Sequence, residues 1–132
     1  AGLLDRLLGM APDPRPSWRP PRRFRQTIEL LGEIEHTTAL VFPAHRLMVA
    51  LCGFLRGQGS GAQRLQWHLQ HRDHPDTRFA QGLLEPSRDP EHMLVVFRER
   101  IERLQLPAPV MAVGLRVTDW QIFEERKLTL LD

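Results

Sequence analysis

The sequence has very little cysteine and lacks any long apolar run. Its 132 residues include one cysteine, Cys52, which excludes an internal disulfide and a cysteine-based metal site and favours a reducing compartment. No uninterrupted apolar run approaches the roughly 20 residues that cross a bilayer, and the first residues do not form a signal peptide. We therefore expect no membrane partner and no disulfide framework.

The length allows one domain with short flanks. Because the first residue is Ala1 rather than methionine, we expect the chain to be part of a longer protein. Composition divides it into the end of a preceding helix at 1–10, a proline- and arginine-rich linker at 11–22, a main domain at 23–118 and a C-terminal tail at 119–132.

The net positive charge is small, but the arginines are concentrated in one stretch. The formal net charge is only +2. Five arginines, however, fall within a short stretch at Arg15, Arg19, Arg22, Arg23 and Arg25. Because phosphate binding depends on local potential more than on total charge, this pattern favours a polyanionic partner.

Hydrophobic periodicity predicts the element order β-α-β-β-α-β. The expected strands are 24–30, 64–71, 77–84 and 110–118; one helix ends at about Arg56, and the other runs from Pro90 to about Leu104. Polar connections are expected at 32–38 and 72–76. Pro43 fits either the first free turn of the first helix or its first position. Asp89 is the expected cap of the second helix.

Both helices should cover the same side of the sheet, because crossover connections are right-handed. The predicted fold class is therefore α+β, with a four-stranded antiparallel or mixed sheet, two helices on one face and the other face open. In the alternating stretch at 64–70, Leu65, Trp67 and Leu69 should enter the core.

The open face is predicted to be rich in donors. The residues placed there are Arg23, Arg25, Thr27, Arg64, Gln66, His68, Gln70, Arg78, Ala80, Gly82, Ala112, Gly114 and Arg116. No acid is counted among them, and the small residues should let backbone amides approach a ligand. Two interpretations stay open, namely an ordinary solvated sheet face and a surface for a phosphate backbone.

An ordered set of residues resembles the Y-family DNA polymerases. The set is Asp13-Pro14-Arg15, Trp18, Pro20-Pro21, Phe24, Leu65 to Gln70, Thr77-Arg78, Leu84 to Pro90 and Leu106 to Val110. It is most similar to the little finger domain of the ImuB type, from bacterial damage-inducible mutagenesis cassettes. By this resemblance the first segment is the end of a thumb domain, and the location is the bacterial cytoplasm, at the nucleoid.

The resemblance implies a DNA-binding accessory domain. Such a domain lies in the major groove beside the primer–template junction and holds phosphates without reading sequence. The implied contacts are Arg23, Arg25, Arg64, Gln66, His68, Arg78 and Arg116. The catalytic carboxylates of the family lie in a palm domain outside this chain, so we expect neither catalysis nor a cofactor in this part of a nucleotidyltransferase-like parent.

The resemblance also implies protein partners. ImuB-type proteins are adaptors that join the sliding clamp, an accessory protein and an error-prone replicative-type polymerase. In the tail, Lys127 to Leu131 is similar to the bacterial clamp-binding pentapeptide, although lysine replaces its glutamine and leucine its final aromatic. The expected clamp contacts are Leu128, Leu130 and Leu131. The alternatives are an edge strand there, or folding of Trp120, Ile122 and Phe123 back onto the domain.

The sequence predicts neither a metal site nor a hydrolase site. His68, His71 and His74 lie near Asp73 and Asp76, but strand alternation sends His68 and His71 to opposite faces, so no metal is expected. A hydrolase of the acylphosphatase kind, on the same element order, would need arginine and asparagine in the loop after the first strand. The loop at 32–36 has neither, and the chain contains no asparagine.

Overall fold

The computed structural model describes residues 23–123. The predicted clamp contacts Leu128, Leu130 and Leu131 lie outside the described residues. The elements are β1 (Phe24–Ile34), a 3-10 turn (Thr37–Leu40), α1 (Val41–Gly57), β2 (Ser60–His71), β3 (His74–Ser87), α2 (Pro90–Ile101), β4 (Val110–Val117) and the short β5 (Gln121–Ile122).

The sheet order is β1-β4-β2-β3, and every neighbouring pair in it is antiparallel. β5 pairs with the start of β2. Each helix therefore connects two parallel strands that are separated by one other strand, β4 in the first case and β2 in the second. Both helices pack on one side of the sheet and leave the other side open, which confirms the predicted fold class.

The core lies between the sheet and the two helices. Leu65, Trp67 and Leu69 of β2 are at most 1% exposed, as the alternation predicts. They belong to one cluster with Leu47 of α1 and Phe97 of α2. Burial of side chains of this size contributes about 1.5–3 kcal/mol each, so this face of β2 is the main reason that both helices dock where they do.

One polar side chain is built into this core. Gln81 is 1% exposed on β3 and bridges two elements. Its Oε1 accepts from Trp67 Nε1 at 2.9 Å, and its Nε2 donates to the Met93 carbonyl of α2 at 2.9 Å. Buried polar groups are costly without partners, and this pair of bonds explains why Gln81 can point inward.

The first three strands are longer than predicted, whereas β4 ends one residue earlier than the predicted 118. β1 includes residues 32–34, and the turn between β2 and β3 is Arg72-Asp73 rather than 72–76. Asp73 has a φ of 56°, in the left-handed region that a tight hairpin turn needs and that aspartate tolerates. The β1–β4 register shifts between Glu29 and Ile34, an irregularity that the alternation does not reveal.

The helix ends follow local rules. Pro43 is the third residue of α1, within the first turn, where a backbone donor has no intrahelical partner. Gly59 closes the turn after α1 with a φ of 63°. The Asp89 carboxylate accepts from the Glu91 amide at 3.0 Å, as a cap should. α2 ends at Ile101, earlier than the predicted Leu104.

The helical segment Thr37–Gly57 is long and apolar enough to cross a membrane by length and composition alone. The segment is not an uninterrupted apolar run, because Arg46 and Arg56 lie within it. Leu47, Met48 and Leu51 of this segment are buried in the core at 0–1% exposure. The apolar character of α1 therefore has a structural cause in packing against the sheet.

The first residues after β4 fold back onto the domain. Trp120 is 7% exposed and meets the Phe54 ring edge-on, with centroids 5.1 Å apart. The Phe123 amide donates to the Gly59 carbonyl at 2.6 Å, and Arg88 lies over the Phe123 ring. Ile122 remains 36% exposed. The alternative that this stretch returns to the domain is confirmed for Trp120 and Phe123.

Candidate nucleic-acid interface

The open face is organised in rows that run across the strands. Directly paired residues of an antiparallel sheet present their side chains on the same face. One row is Arg25 of β1, Arg116 of β4, Gln66 of β2 and Ala80 of β3. The next row is Thr27, Gly114, His68 and Arg78. Residues from four strands that are distant in sequence are thus adjacent on one surface.

The two rows surround a shallow depression of about 380 Å³. Its lining residues are Arg25, Arg64, Gln66, Trp67, His68, Gln70, Asp76, Arg78, Phe79, Ala80 and Arg116. Six of the seven predicted contacts are therefore gathered in one place. The seventh, Arg23, is exposed at the start of β1 but does not line the depression.

A hydrogen bond fixes part of this surface. Arg116 Nη2 donates to Gln66 Oε1 across the β4–β2 pair. This bond occupies one donor of the guanidinium and leaves the other donors available, since an arginine has five. Gln66 therefore acts on the surface by orienting Arg116, in addition to any contact of its own.

His68 lies at the centre of the depression. Its imidazole fills the space that a side chain on Gly114 would need, because a Cβ there would clash with the Cε1, Nε2 and Nδ1 atoms of the ring. The prediction that Gly114 leaves its backbone open to a ligand is therefore wrong, since His68 covers it. Gly82, by contrast, has open space above it.

The environment of His68 favours the neutral imidazole. Partial burial lowers its pKa below the ordinary 6.5, and the nearby charges of Arg78, Arg25 and Arg116 act in the same direction. The carboxylate of Asp76 acts in the opposite direction. Burial is the largest of these causes, so the lowered pKa chiefly reflects the packing of the ring against the sheet.

The open face contains acids, so the prediction that it has none is wrong. Asp76 lines the depression, because β3 begins at His74 and strand alternation then places Asp76 on the face of Arg78. Glu29 pairs with Ala112 and continues the face of Arg25 and Thr27. Both acids lie toward one end of the sheet, and the arginine row lies toward the other. Ala112, expected to be open, is 2% exposed.

The remaining candidate sites have structural explanations. His71 is 6% exposed and joins the Pro109 carbonyl to the Thr77 hydroxyl through its two ring nitrogens, at 3.1 Å and 2.7 Å. Within residues 23–123, no three potential metal ligands lie together. Burial raises the pKa of the Cys52 thiol to about 11, which makes it a poor nucleophile at neutral pH.

No family model matches the sequence, and no curated protein matches it either. Solved structures do match the fold. One, described as a complex of beta-clamp processivity factor and little finger domain of PolIV, gives a TM-score of 0.56 at 18% identity over 74% of this chain and 87% of that chain. The fold is that of a Y-family little finger domain.

Two structures of Dbh DNA polymerase extend the comparison. An insertion ternary complex gives a TM-score of 0.59 at 10% identity, and a post-insertion binary complex gives 0.58 at 9% identity. This chain spans only 29% of each polymerase chain, so the likeness concerns one part of such an enzyme. At these identities the likeness establishes the little finger fold.

Proposed function

We propose that this chain is the DNA-binding accessory domain of a Y-family translesion polymerase homologue. It holds the phosphate backbone without sequence specificity during DNA damage tolerance. The observation that carries the proposal is the convergence of Arg25, Arg116, Arg64 and Arg78, from four strands, on the open face of a little finger fold. Guanidinium groups bind phosphate oxygens with paired, charge-assisted hydrogen bonds.

The surface suits a phosphate backbone better than base edges. Its arginines project from the open face of the sheet, and the depression between them is shallow. The surface therefore has no element that could enter a DNA groove deeply enough to read a base pair. Each phosphate contact releases counterions, and the logarithm of the affinity should therefore fall linearly with the logarithm of salt concentration. The resident acids Asp76 and Glu29 should confine the backbone to the arginine-rich end of the face.

The proposal is tested by fluorescence anisotropy of labelled primer–template DNA across a salt series. The decisive variant is Arg64→Glu/Arg78→Glu. Its matched control is Arg46→Glu/Arg56→Glu, which makes the same change of charge on exposed positions of α1, away from the open face. We expect the first variant to abolish binding and the second to retain most of it. Equal losses in both, or DNA binding insensitive to salt, would contradict the proposal.

We propose further that the parent protein is of the ImuB type. It rests on the ordered residue set of the sequence and implies damage-inducible mutagenesis, a bacterial cytoplasmic location at the nucleoid, and a parent whose palm domain need not be active. Deletion of the domain from its parent should lower induced mutation frequency after ultraviolet irradiation. An unchanged frequency, with the parent protein still present, would exclude this role.

A second candidate function is docking of the sliding clamp. The fold likeness to a little finger domain solved in complex with a beta clamp favours it, as does the peptide at Lys127 to Leu131. An accessory protein and an error-prone replicative-type polymerase are the further partners. Clamp binding measured by surface plasmon resonance should be lost in Leu128→Ala/Leu130→Ala/Leu131→Ala and retained in Arg64→Glu/Arg78→Glu. Clamp binding that survives the triple substitution would refute the peptide.

A further inference from the structure

The outward side of α1 carries apolar side chains that the core does not use. Phe42 is 79% exposed and Val49 is 49% exposed. Their spacing of seven residues places them on the same side of the helix, with Arg46 between them. We call Phe42, Arg46, Val49 and Arg56 the α1 face. A phenylalanine left in water forgoes about 1.5–3 kcal/mol of burial free energy, so its exposure needs an explanation.

A groove continues the α1 face toward α2. It has a volume of about 410 Å³ and lies between the start of α1 and the end of α2. Its lining residues are Thr37, Thr38, Val41, Phe42, Arg98, Ile101 and Glu102. Val41, Phe42 and Ile101 are its larger apolar side chains, and Arg98 and Glu102 are its charged ones. Such a groove accepts one large apolar side chain from a partner.

The charge around these apolar side chains is net positive, although Glu102 also lines the groove. α1 contains no aspartate or glutamate in its seventeen residues. Within residues 23–123 the ion pairs join His45 to Glu91 and Arg72 to Glu33. Arg46, Arg56 and Arg98 therefore have no carboxylate partner among the residues that the structure describes. Complementarity favours a negatively charged partner.

Two other occupants fit this surface less well. A second copy of the chain would pair this surface with itself across a two-fold axis, so that two surfaces of the same net charge would face each other. A DNA backbone would satisfy the arginines but would cover Phe42 and Val49 with phosphates, which gain nothing from apolar contact.

We propose that the α1 face and its adjoining groove bind an acidic, amphipathic segment of a partner protein, which inserts an apolar side chain beside Phe42. The site is on the helical side of the domain, opposite the arginine rows, so the partner and DNA can bind at the same time. This inference does not depend on the proposed DNA-binding function.

The test uses two fluorescein-labelled helical peptides with the complete chain. One presents leucines along one side and glutamates elsewhere, and the other carries lysine in place of every glutamate. We expect the acidic peptide to bind and the basic peptide not to bind. Phe42→Ala should weaken the acidic complex about fivefold or more, and Arg46→Glu about tenfold or more. Leu84→Ala, which removes a leucine 97% exposed on the other side of the sheet, should leave it unchanged.

Several outcomes would overturn the inference. They are failure of the acidic peptide to bind, equal binding of both peptides, and an equal loss in Leu84→Ala. Sedimentation of the chain alone gives a further check, since a dimer that Phe42→Ala dissociates would make a second copy the occupant. DNA binding lost in Arg46→Glu but kept in Arg64→Glu/Arg78→Glu would make DNA the occupant. Circular dichroism of each variant confirms that its fold is retained.

Discussion

The imidazole of His68 on β2 lies over Gly114 of β4, in the space that any larger side chain at residue 114 would need. Glycine is therefore needed at residue 114 because the His68 side chain occupies the space beside it. Its own backbone conformation does not require glycine, because Gly114 has no positive φ. The contact keeps the ring low against the sheet, between Arg25, Arg78 and Arg116.

The first prediction concerns this contact. Gly114→Ala should displace the His68 ring into the depression and weaken DNA binding about threefold to tenfold, equivalent to ~0.7–1.4 kcal/mol. The fold should remain, since the atoms displaced belong to a side chain at the surface. Gly82→Ala is the matched control, because a Cβ there meets nothing within 4 Å, and it should leave affinity unchanged. Anisotropy titrations with one DNA would compare them, and equal affinities for both variants would contradict the prediction.

The second prediction concerns the acid in the depression. Asp76→Asn removes a negative charge beside Arg78 and His68 and should strengthen DNA binding about twofold to fivefold, a surface effect of ~0.4–1 kcal/mol. Asp73→Asn is the control. It makes the same charge change at the hairpin turn, where asparagine also tolerates the φ of 56°. The gain should shrink at high salt. A gain of the same size in both variants would assign it to net charge alone.

The third prediction concerns the number of phosphate contacts. Arg25→Ala and Arg116→Ala should each lower the slope of log affinity against log salt by about 0.9, the value for one phosphate on duplex DNA. Arg103→Ala on the helical side should leave the slope unchanged. The measurement is the salt series itself, so it is independent of absolute affinity. A weaker affinity with an unaltered slope would mean that the arginine stabilises the surface without touching phosphate.

The fourth prediction is a pH dependence of binding. Burial and the neighbouring arginines lower the pKa of His68 in the free domain, and a phosphate beside the ring would raise it. Binding should therefore take up a proton, and affinity should rise as pH falls through the pKa of His68 in the complex and level off below its pKa in the free domain. His68→Gln should remove this rise, and His92→Gln on α2 should keep it. Calorimetry in buffers of different ionisation enthalpy would count the protons.

The same pKa shift affects folding. Because the pKa of folded His68 lies below the ordinary 6.5, the unfolded chain binds the proton more readily. The stability contributed by neutral His68 is complete above 6.5 and is lost as pH falls from there toward the folded pKa. His68→Gln should remove this component from the pH profile of the unfolding free energy.

The fifth prediction concerns the buried Gln81. Gln81→Leu should lower the unfolding free energy by about 2–3 kcal/mol, because Trp67 Nε1 would lose its acceptor inside the core. Gln105→Leu, at an exposed position after α2, is the control and should change stability by less than about 0.5 kcal/mol. Urea denaturation at constant pH measures both. Equal stability of the Gln81 variant and the original chain would show that a water or another group replaces the lost bond.

Local signals explain which parts of the fold were predictable. The alternation around Trp67 specifies which edge of β2 is buried, because a strand has only two sides. Asp89 followed by Pro90 specifies the start of α2, because both residues satisfy the backbone geometry of a helix end. The site was partly predictable for the same reason, since Arg64, Gln66 and His68 follow from the single alternating stretch.

The acids of the site were not found by these signals. The composition of His74-Pro75-Asp76 is typical of a turn and therefore predicts a loop at Asp76. The tight turn at Arg72-Asp73 extends the strand through it and places Asp76 beside Arg78. Glu29 is the last residue of β1 in register with β4 before the shift. Alternation from Arg25 and Thr27 places it on the open face, although the predicted set omits it.

The element order, the buried edge of each strand and the helix start at Asp89 can be read from the sequence, because they depend on residues that are neighbours along the chain. The strand order β1-β4-β2-β3, the contact of His68 with Gly114 and the bond from Arg116 to Gln66 depend on the folded structure. Those features join residues far apart in sequence. Their adjacency depends on which strands pair and in what register, and that is settled by the packing of the whole core.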